Sequence, residues 1–403
     1  MLLTHISMSS ILPIIRFSYG IILAILLSKS LSVSEYGEWS FFISMIGLVL
    51  TFSSLSLMYS SQVIFPTKSK SEIIPDLNTI AVFKVILTIL IAFLFAVYGY
   101  YFELFSLMLS VLFCVVIVFR TIADLVYGFL RALLKIKDQI VFLLVESLLV
   151  LVFIGYSLFV DSKNVYELIY AFLYAEAFVS VYGIYLLRSY IELEKFKLIS
   201  LKPYLAIGIP LVPFAFMDLI INATTPLFIK SYDSIEMVAL YSISQKAAML
   251  MIVPSSILGN IYTQYLSKAY QKSRGEMLSV LKRFMSLYFI STLLMFVFLY
   301  IFGLDIIVAI SSVEYKDAYD ILLLLMVANV FVVFSSIFTS IFVVMKLVRR
   351  VSYTWIGVLF LYVLLSIILS KYYMFLGSIY AILISFGIGF ILISYLTYKE
   401  LRN

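Results

Sequence analysis

ILPIIRFSYGIILAILLSKS, residues Ile11–Ser30, is twenty residues long and almost wholly apolar, yet it carries Pro13 and, three positions later, Arg16. A run of this length matches the hydrocarbon thickness of a bilayer when it is helical. The rest of the chain is of the same kind. Of 403 residues, 64% are hydrophobic and 12% charged, against about 45–50% and about 25% in soluble domains. No soluble fold of this size buries so much apolar surface, so the solvent for most of the chain is lipid. The first run lacks a basic leading region and a small-residue cleavage site, and similar runs follow to the end. It is therefore expected to be a retained span rather than a cleaved leader.

Reading for apolar runs of about 20 residues gives twelve expected spans: 8–29, 37–60, 78–98, 103–128, 138–160, 165–188, 204–229, 238–262, 284–304, 319–344, 351–370 and 373–396. The links at Gly99–Phe102 and Lys371–Tyr372 are very short. Strands of a barrel would alternate apolar and polar residues, and these runs do not, so the class is an all-α membrane protein. With the N-terminus placed in the cytoplasm, nineteen Lys and Arg fall on the cytoplasmic side, five on the other, and four within spans. This bias puts both termini in the cytoplasm.

The chain divides near its middle. Residues 1–188 form an expected first six-helix lobe, 189–203 a cytoplasmic linker and 204–403 a second six-helix lobe. A second basic amphipathic stretch, Lys268–Phe284, reads as an interfacial helix. The halves look like copies. The first opens with ILPIIRF and continues to EYGEWSFFIS, and the second opens with IGIPLVPF and continues to MVALYSISQK. Pro13 aligns with Pro210, and Pro13, Pro210 and Pro213 are expected hinge points. Six spans per half require the repeat to be parallel, about an axis along the membrane normal.

Charges at bilayer depth cost about 2.5–3.5 kcal/mol each at a helix centre and mark functional candidates. Eight are present: Arg16, Lys84, Arg120, Asp124, Glu146, Glu176, Asp218 and Lys246. Spans nine to twelve have none at depth and read as support. Lys84 lies six residues inside its expected span and is placed to snorkel. Arg120 and Asp124 are one turn apart, a spacing at which they can neutralise each other. Asp218 shares the seventh span with Pro213, Asn222, Thr224, Thr225 and Pro226, a pattern that predicts a broken helix lining a cavity. Lys246 follows Gln245 in YSISQKAAML. Arg16 lies about 12 Å from the cytoplasmic end at 1.5 Å per residue. It either reaches back to headgroups or faces a polar cavity with Ser18 and Tyr19. Its guanidinium is always charged and forks onto phosphate oxygens.

Several classes are excluded. The net charge of +6 is cytoplasmic loop charge, and no nucleic-acid partner is expected. Cys114, the one cysteine, reads as a small buried hydrophobe, and His5, the one histidine, as a surface residue. No GxxxxGK[ST] loop, HExxH pair or Cys/His cluster is present, so no metal or nucleotide cofactor is expected. The longest extracytoplasmic loop, around Asp305–Tyr319, is too short for the outer domain of a polymerase.

The chain resembles the polysaccharide-lipid flippases (Wzx-type O-antigen and capsule repeat-unit translocases) of the multidrug/oligosaccharidyl-lipid/polysaccharide exporter superfamily. The resemblance rests on PIIRFSYGIILAILLSKSLSVSEYGEWSFFIS, on FRTIADLVYGFLRA and on IPLVPFAFMDLIINATTPLFIKSYDSIEMVALYSISQKA. It implies a MATE-like V of two lobes in the bacterial cytoplasmic (inner) membrane. The implied substrate is an undecaprenyl-diphosphate-linked oligosaccharide, flipped from inner to outer leaflet for O-antigen, capsule or exopolysaccharide assembly, with polymerase and chain-length proteins as pathway partners. Arg16 falls where the family's first-helix arginine is expected. Such proteins commonly carry an Asp-Arg pair late in the seventh span, where this chain has NATTPLF, so no role is carried over there. The implied substrate site is Arg16, Arg120 and Lys246 on the diphosphate, with Tyr19 and Asn222 toward the sugar. Asp124, Glu146, Glu176 and Asp218 are candidates for coupling to a proton or sodium gradient. The rivals are a cation-coupled drug antiporter of the same superfamily, a lipid II flippase and, from another class, a multispan glycosyltransferase or polymerase.

Overall fold

The computed structural model describes residues 2–160, 164–192, 200–345 and 347–402. The described chain is helical. In order, the helices are α1 Leu2–Ser30, α2 Val33–Ser54, α3 Leu57–Ile64, α4 Lys70–Tyr101, α5 Leu107–Ala132, α6 Ile136–Phe159, α7 Val165–Leu187, α8 Leu201–Gly208, α9 Phe216–Leu219, α10 Thr225–Tyr232, α11 Ile235–Ala248, α12 Ile252–Lys272, α13 Arg274–Ile310, α14 Ala318–Val344, α15 Val348–Tyr373 and α16 Phe375–Arg402. Among the described residues eleven helices are long and apolar enough to span a membrane, and the broken pair Leu201–Pro213 and Phe216–Tyr232 makes a twelfth when counted as one span. The chain is thus a multi-pass, all-α membrane protein, and each expected span has a helical counterpart.

Local chemistry sets the helix starts. Glu72 accepts from the Ser69 backbone N–H at 2.8 Å to begin α4. The Ser106 hydroxyl accepts from Leu109 N at 3.2 Å at the head of α5, the Asn164 amide oxygen from Tyr166 N at 3.0 Å at α7, and Ser273 from Glu276 N at 3.2 Å at α13. These side chains satisfy N–H groups that have no partner within the helix. The α4 face bearing Ile86, Leu90, Phe93, Leu94 and Val97 is exposed, as is the α13 face bearing Phe289, Ile290, Leu293 and Leu294. Such apolar stripes suit a lipid solvent.

Three features depart from the sequence reading. The second span is not one helix: α2 and α3 are separated by Leu55 and Ser56, both at positive φ. The Ser60 hydroxyl on α3 donates to Tyr204 O on α8 at 2.8 Å, and a Cβ on Gly208 would meet Leu55 O at 2.5 Å. The break therefore seats the start of the seventh span, and only glycine fits at 208. Second, Lys268–Phe284 is not a separate interfacial helix, because α12 runs to Lys272 and α13 starts at Arg274; a single extended residue, Ser273, turns the chain. Third, α4 begins at Lys70, two turns before the expected start of its span. In the linker, Arg188–Tyr190 forms a 3₁₀ turn, and residues 193–199 lie outside the described residues.

Two compact units are present, Phe42–Val212 and Met1–Phe41 with Pro213–Asn403. They differ from the sequence halves in that α1 packs with second-half helices and α8 with first-half helices. In the first unit α5 is central, packed by α3, α4, α6 and α7 around a core that includes Phe65, Phe129, Phe142 and Tyr204. In the second unit α14 lies among α11, α12, α13 and α16, with Tyr262, Phe284, Tyr288 and Ile337 in one cluster. There α1 is tied to the end of α13, Ser28 donating to Ile310 O at 3.1 Å.

Candidate functional site

Two polar groups stand out, one in each unit. The first is built on α1, α11 and the broken seventh span. That span passes through a 3₁₀ stretch, Ile209–Ala215, which holds Pro210 and Pro213. After the single turn of α9 it widens into a π turn over Ile220–Thr224. The expected break is thus present. Its cause is local, since Pro226 has no N–H to give to the carbonyl one turn back and the prolines at 210 and 213 remove two more. Hydroxyls brace the carbonyls of the irregular turn. Thr225 donates to Ile220 O at 2.7 Å, and Tyr241 on α11 donates to Ile221 O at 2.7 Å. The Thr225 and Tyr362 hydroxyls lie 2.8 Å apart. A π turn held this way is a frequent mark of functional positions.

On this frame Asn222 accepts a hydrogen bond from Gln245 of α11 and donates to Asp218 O at 2.9 Å. The Asp218 and Asn222 side chains are exposed. Lys246 is half-buried beside α1, where its Nζ would lie 3.9 Å from a Cβ on Gly20. Among the described residues it has no hydrogen-bond or carboxylate partner. Arg16, one turn before Gly20, is exposed, and Tyr19 is half-buried. The helix α1 continues through Pro13. Arg16, Tyr19, Asp218, Asn222 and Lys246 therefore belong to one unit. Gly20 and Tyr362 escaped sequence reading. Gly20 gave no signal beyond standing four residues after Arg16, and Tyr362 lies in a span read as support.

The second group lies on α4–α7. Lys84 is completely buried and pairs with Asp124 of α5. Arg120 pairs with Glu146 of α6 and, at 2.9 Å, with Glu176 of α7. Two expectations are corrected here. Lys84 does not snorkel, because α4 begins at Lys70 and so places Lys84 about 21 Å along the helix at 1.5 Å per residue. Asp124 is engaged by Lys84, and Arg120 bonds across helices rather than within α5. Arg120 also stands in the unit that lacks Arg16 and Lys246, inside a group in which carboxylates outnumber cations. Nearer the start of α4, Lys68 and Tyr204 both bond Asp76, at 2.5 and 2.6 Å. Sequence reading missed this cluster because Asp76 follows Pro75 and counted as loop. Among the described residues no group of His, Cys, Asp and Glu is arranged to hold a metal ion.

No family model and no curated protein matches the chain. Solved structures do. The chain is similar to the inward-facing conformation of a multidrug resistance MATE family transporter of the MOP superfamily, at 17% identity over 96% of this chain and 94% of that one, with a TM-score of 0.74. It is similar to an outward-facing conformation of a multidrug resistance MATE family transporter at 16% identity over 99% and 95%, with a TM-score of 0.63. A MOP superfamily transporter from Pyrococcus furiosus, described as having a binding pocket of reverse polarity, matches at 17% identity over 99% and 96%, with a TM-score of 0.61. At these identities the likeness fixes the fold: this chain has the fold of the MATE transporters.

Proposed function

We propose that the chain is an alternating-access flippase that carries an undecaprenyl-diphosphate-linked oligosaccharide from the inner to the outer leaflet of a bacterial cytoplasmic membrane. The observation that carries this reading is Lys246, a half-buried ammonium that meets α1 at Gly20, one turn after the exposed Arg16, with no acidic partner among the described residues. The other two embedded cations, Lys84 and Arg120, are each paired with carboxylates. A cation placed at depth without a counter-ion is costly, and an anionic cargo offsets that cost each time it binds. Diphosphate suits the fork of Arg16 and the point charge of Lys246. The Asn222–Gln245 amides and Tyr19 offer hydrogen bonds of the kind sugars take, while the polyprenyl tail stays in lipid. Pro210 and Pro213 give the seventh span its hinge. A proton or sodium gradient drives the cycle, and polymerase and chain-length proteins receive the product.

The test is repeat-unit translocation in inverted membrane vesicles. Arg16→Ala and Lys246→Gln are expected to abolish flux at normal protein levels, and Arg16→Lys to leave part of it. Wild-type flux in Arg16→Ala would sink the diphosphate role. A second reading, a cation-coupled drug antiporter, is favoured by the names of the structurally similar proteins, which are multidrug transporters. It expects cationic-drug efflux that depends on the exposed Asp218 rather than on Arg16.

A further inference from the structure

Five charges meet on α4–α7: Lys84 and Arg120 against Asp124, Glu146 and Glu176. Two cations face three carboxylates, which leaves the group one negative charge in excess when all are ionised. Asp124 is paired with Lys84 and is partly exposed, whereas Glu146 and Glu176 are both buried and share the one guanidinium of Arg120. Glu176 is completely buried. One of its oxygens accepts from Arg120 at 2.9 Å, and the other, Oε2, is buried with no hydrogen-bond partner among the described residues. The neighbouring hydroxyls give it no relief. Ser180 donates to Phe119 O at 2.8 Å, Thr121 to Ile117 O at 2.6 Å and Ser147 to Leu143 O at 2.8 Å. A buried carboxylate that has to share its one cation with a second carboxylate, and that leaves one oxygen without a donor, is costly in a protein interior. Two carboxylates held on one cation resolve the conflict by keeping a single proton between them.

We propose that the Glu146–Glu176 pair, held by Arg120, is a one-proton binding site. A bound proton makes the group of five neutral, and its release restores one negative charge between α5, α6 and α7. A metal ion fits less well, because the guanidinium of Arg120 already occupies the position the two carboxylates share. The site narrows the coupling carboxylates from four to two. It rests on the charge count in this unit and is independent of the cargo proposed above.

The experiment is infrared spectroscopy of the full-length protein in lipid nanodiscs at neutral pH, with and without glutamate labelled with ¹³C at the side-chain carboxyl. Wild type is expected to show a protonated-carboxyl band that moves on labelling, with the intensity of one residue. Glu176→Gln and Glu146→Gln are each expected to lose it, since either change leaves two cations against two carboxylates. Glu72→Gln, at the exposed cap of α4, is expected to keep it. Absence of the band in wild type, or its persistence in either of the two Gln variants, overturns the proposal. The wild-type spectrum alone decides if a variant does not fold. No cargo is needed, so failure here is separate from failure of flux.

Discussion

The ammonium of Lys84, buried without any exposed surface in α4, is neutralised by the carboxylate of Asp124 on α5. Removing one partner of a buried pair is worse than removing both, because the survivor keeps its desolvation cost. Asp124→Asn, which strands the buried cation, is expected to lower stability by about 3–5 kcal/mol. Lys84→Met costs less, since Asp124 is partly exposed. The double variant is expected to melt above Asp124→Asn. Thermal melting in detergent checks the order, and equal melting of Asp124→Asn and wild type would show that the pair contributes nothing.

How the charges pair was the part of the molecule least legible in sequence. Spans are legible because lipid demands about 20 apolar residues in each, and the break in the seventh because Pro213 and Pro226 share that span with the polar cluster Asn222, Thr224 and Thr225. That charges at depth matter was legible too. Which charge meets which was not. Arg120 and Asp124 stand one turn apart and read as a local couple, but the packing of α5 between α4 and α7 offers each a partner on another helix. Lys84 read as shallow because polar residues at the start of α4 hid two turns of helix. The break at Leu55–Ser56 carries neither glycine nor proline; the residue that permits it, Gly208, is far away in sequence.

The π turn makes a second prediction. Tyr241 donates to the carbonyl of Ile221 from a buried position. Tyr241→Phe leaves that carbonyl without its donor inside an irregular turn, and an unsatisfied buried group costs about 1–3 kcal/mol. Tyr362→Phe removes the contact with Thr225, whose hydroxyl also bonds Ile220 O, so it orphans no backbone carbonyl and is expected to cost less than Tyr241→Phe. Melting temperatures of the two variants settle the order.

Gly37 on α2 faces the backbone of Ile235 at the start of α11, and a Cβ there would collide with the Ile235 carbonyl and approach its Cγ1 to 3.2 Å. Backbone cannot yield as a flexible side chain can. Gly37→Ala is expected to destabilise by about 1–3 kcal/mol, the usual range for overpacking, and Gly37→Val by more. Gly47→Ala, where nothing lies within 4 Å, is the matched control, and a Gly37→Ala variant as stable as that control would refute the contact.

Gly20 and Lys246 separate an anion site from a merely packed lysine. The Nζ of Lys246 would sit 3.9 Å from a Cβ at position 20, so Gly20→Ala is tolerated, whereas Gly20→Val puts a branched side chain against the ammonium. Lys246 has no acidic partner among the described residues, so Lys246→Gln strands no carboxylate and is expected to leave melting temperature unchanged or raised. A hydrogen bond to a charged group contributes about 1.5–3 kcal/mol, which corresponds to roughly tenfold to hundredfold in affinity. Lys246→Gln is therefore expected to weaken binding of a polyprenyl-diphosphate sugar in nanodiscs by that factor, Lys246→Arg to retain most of it, and Gly20→Val to weaken it without loss of fold. A lysine that only packs predicts the reverse, lower stability with unchanged binding, and titration of the lipid against melting temperature reads both at once.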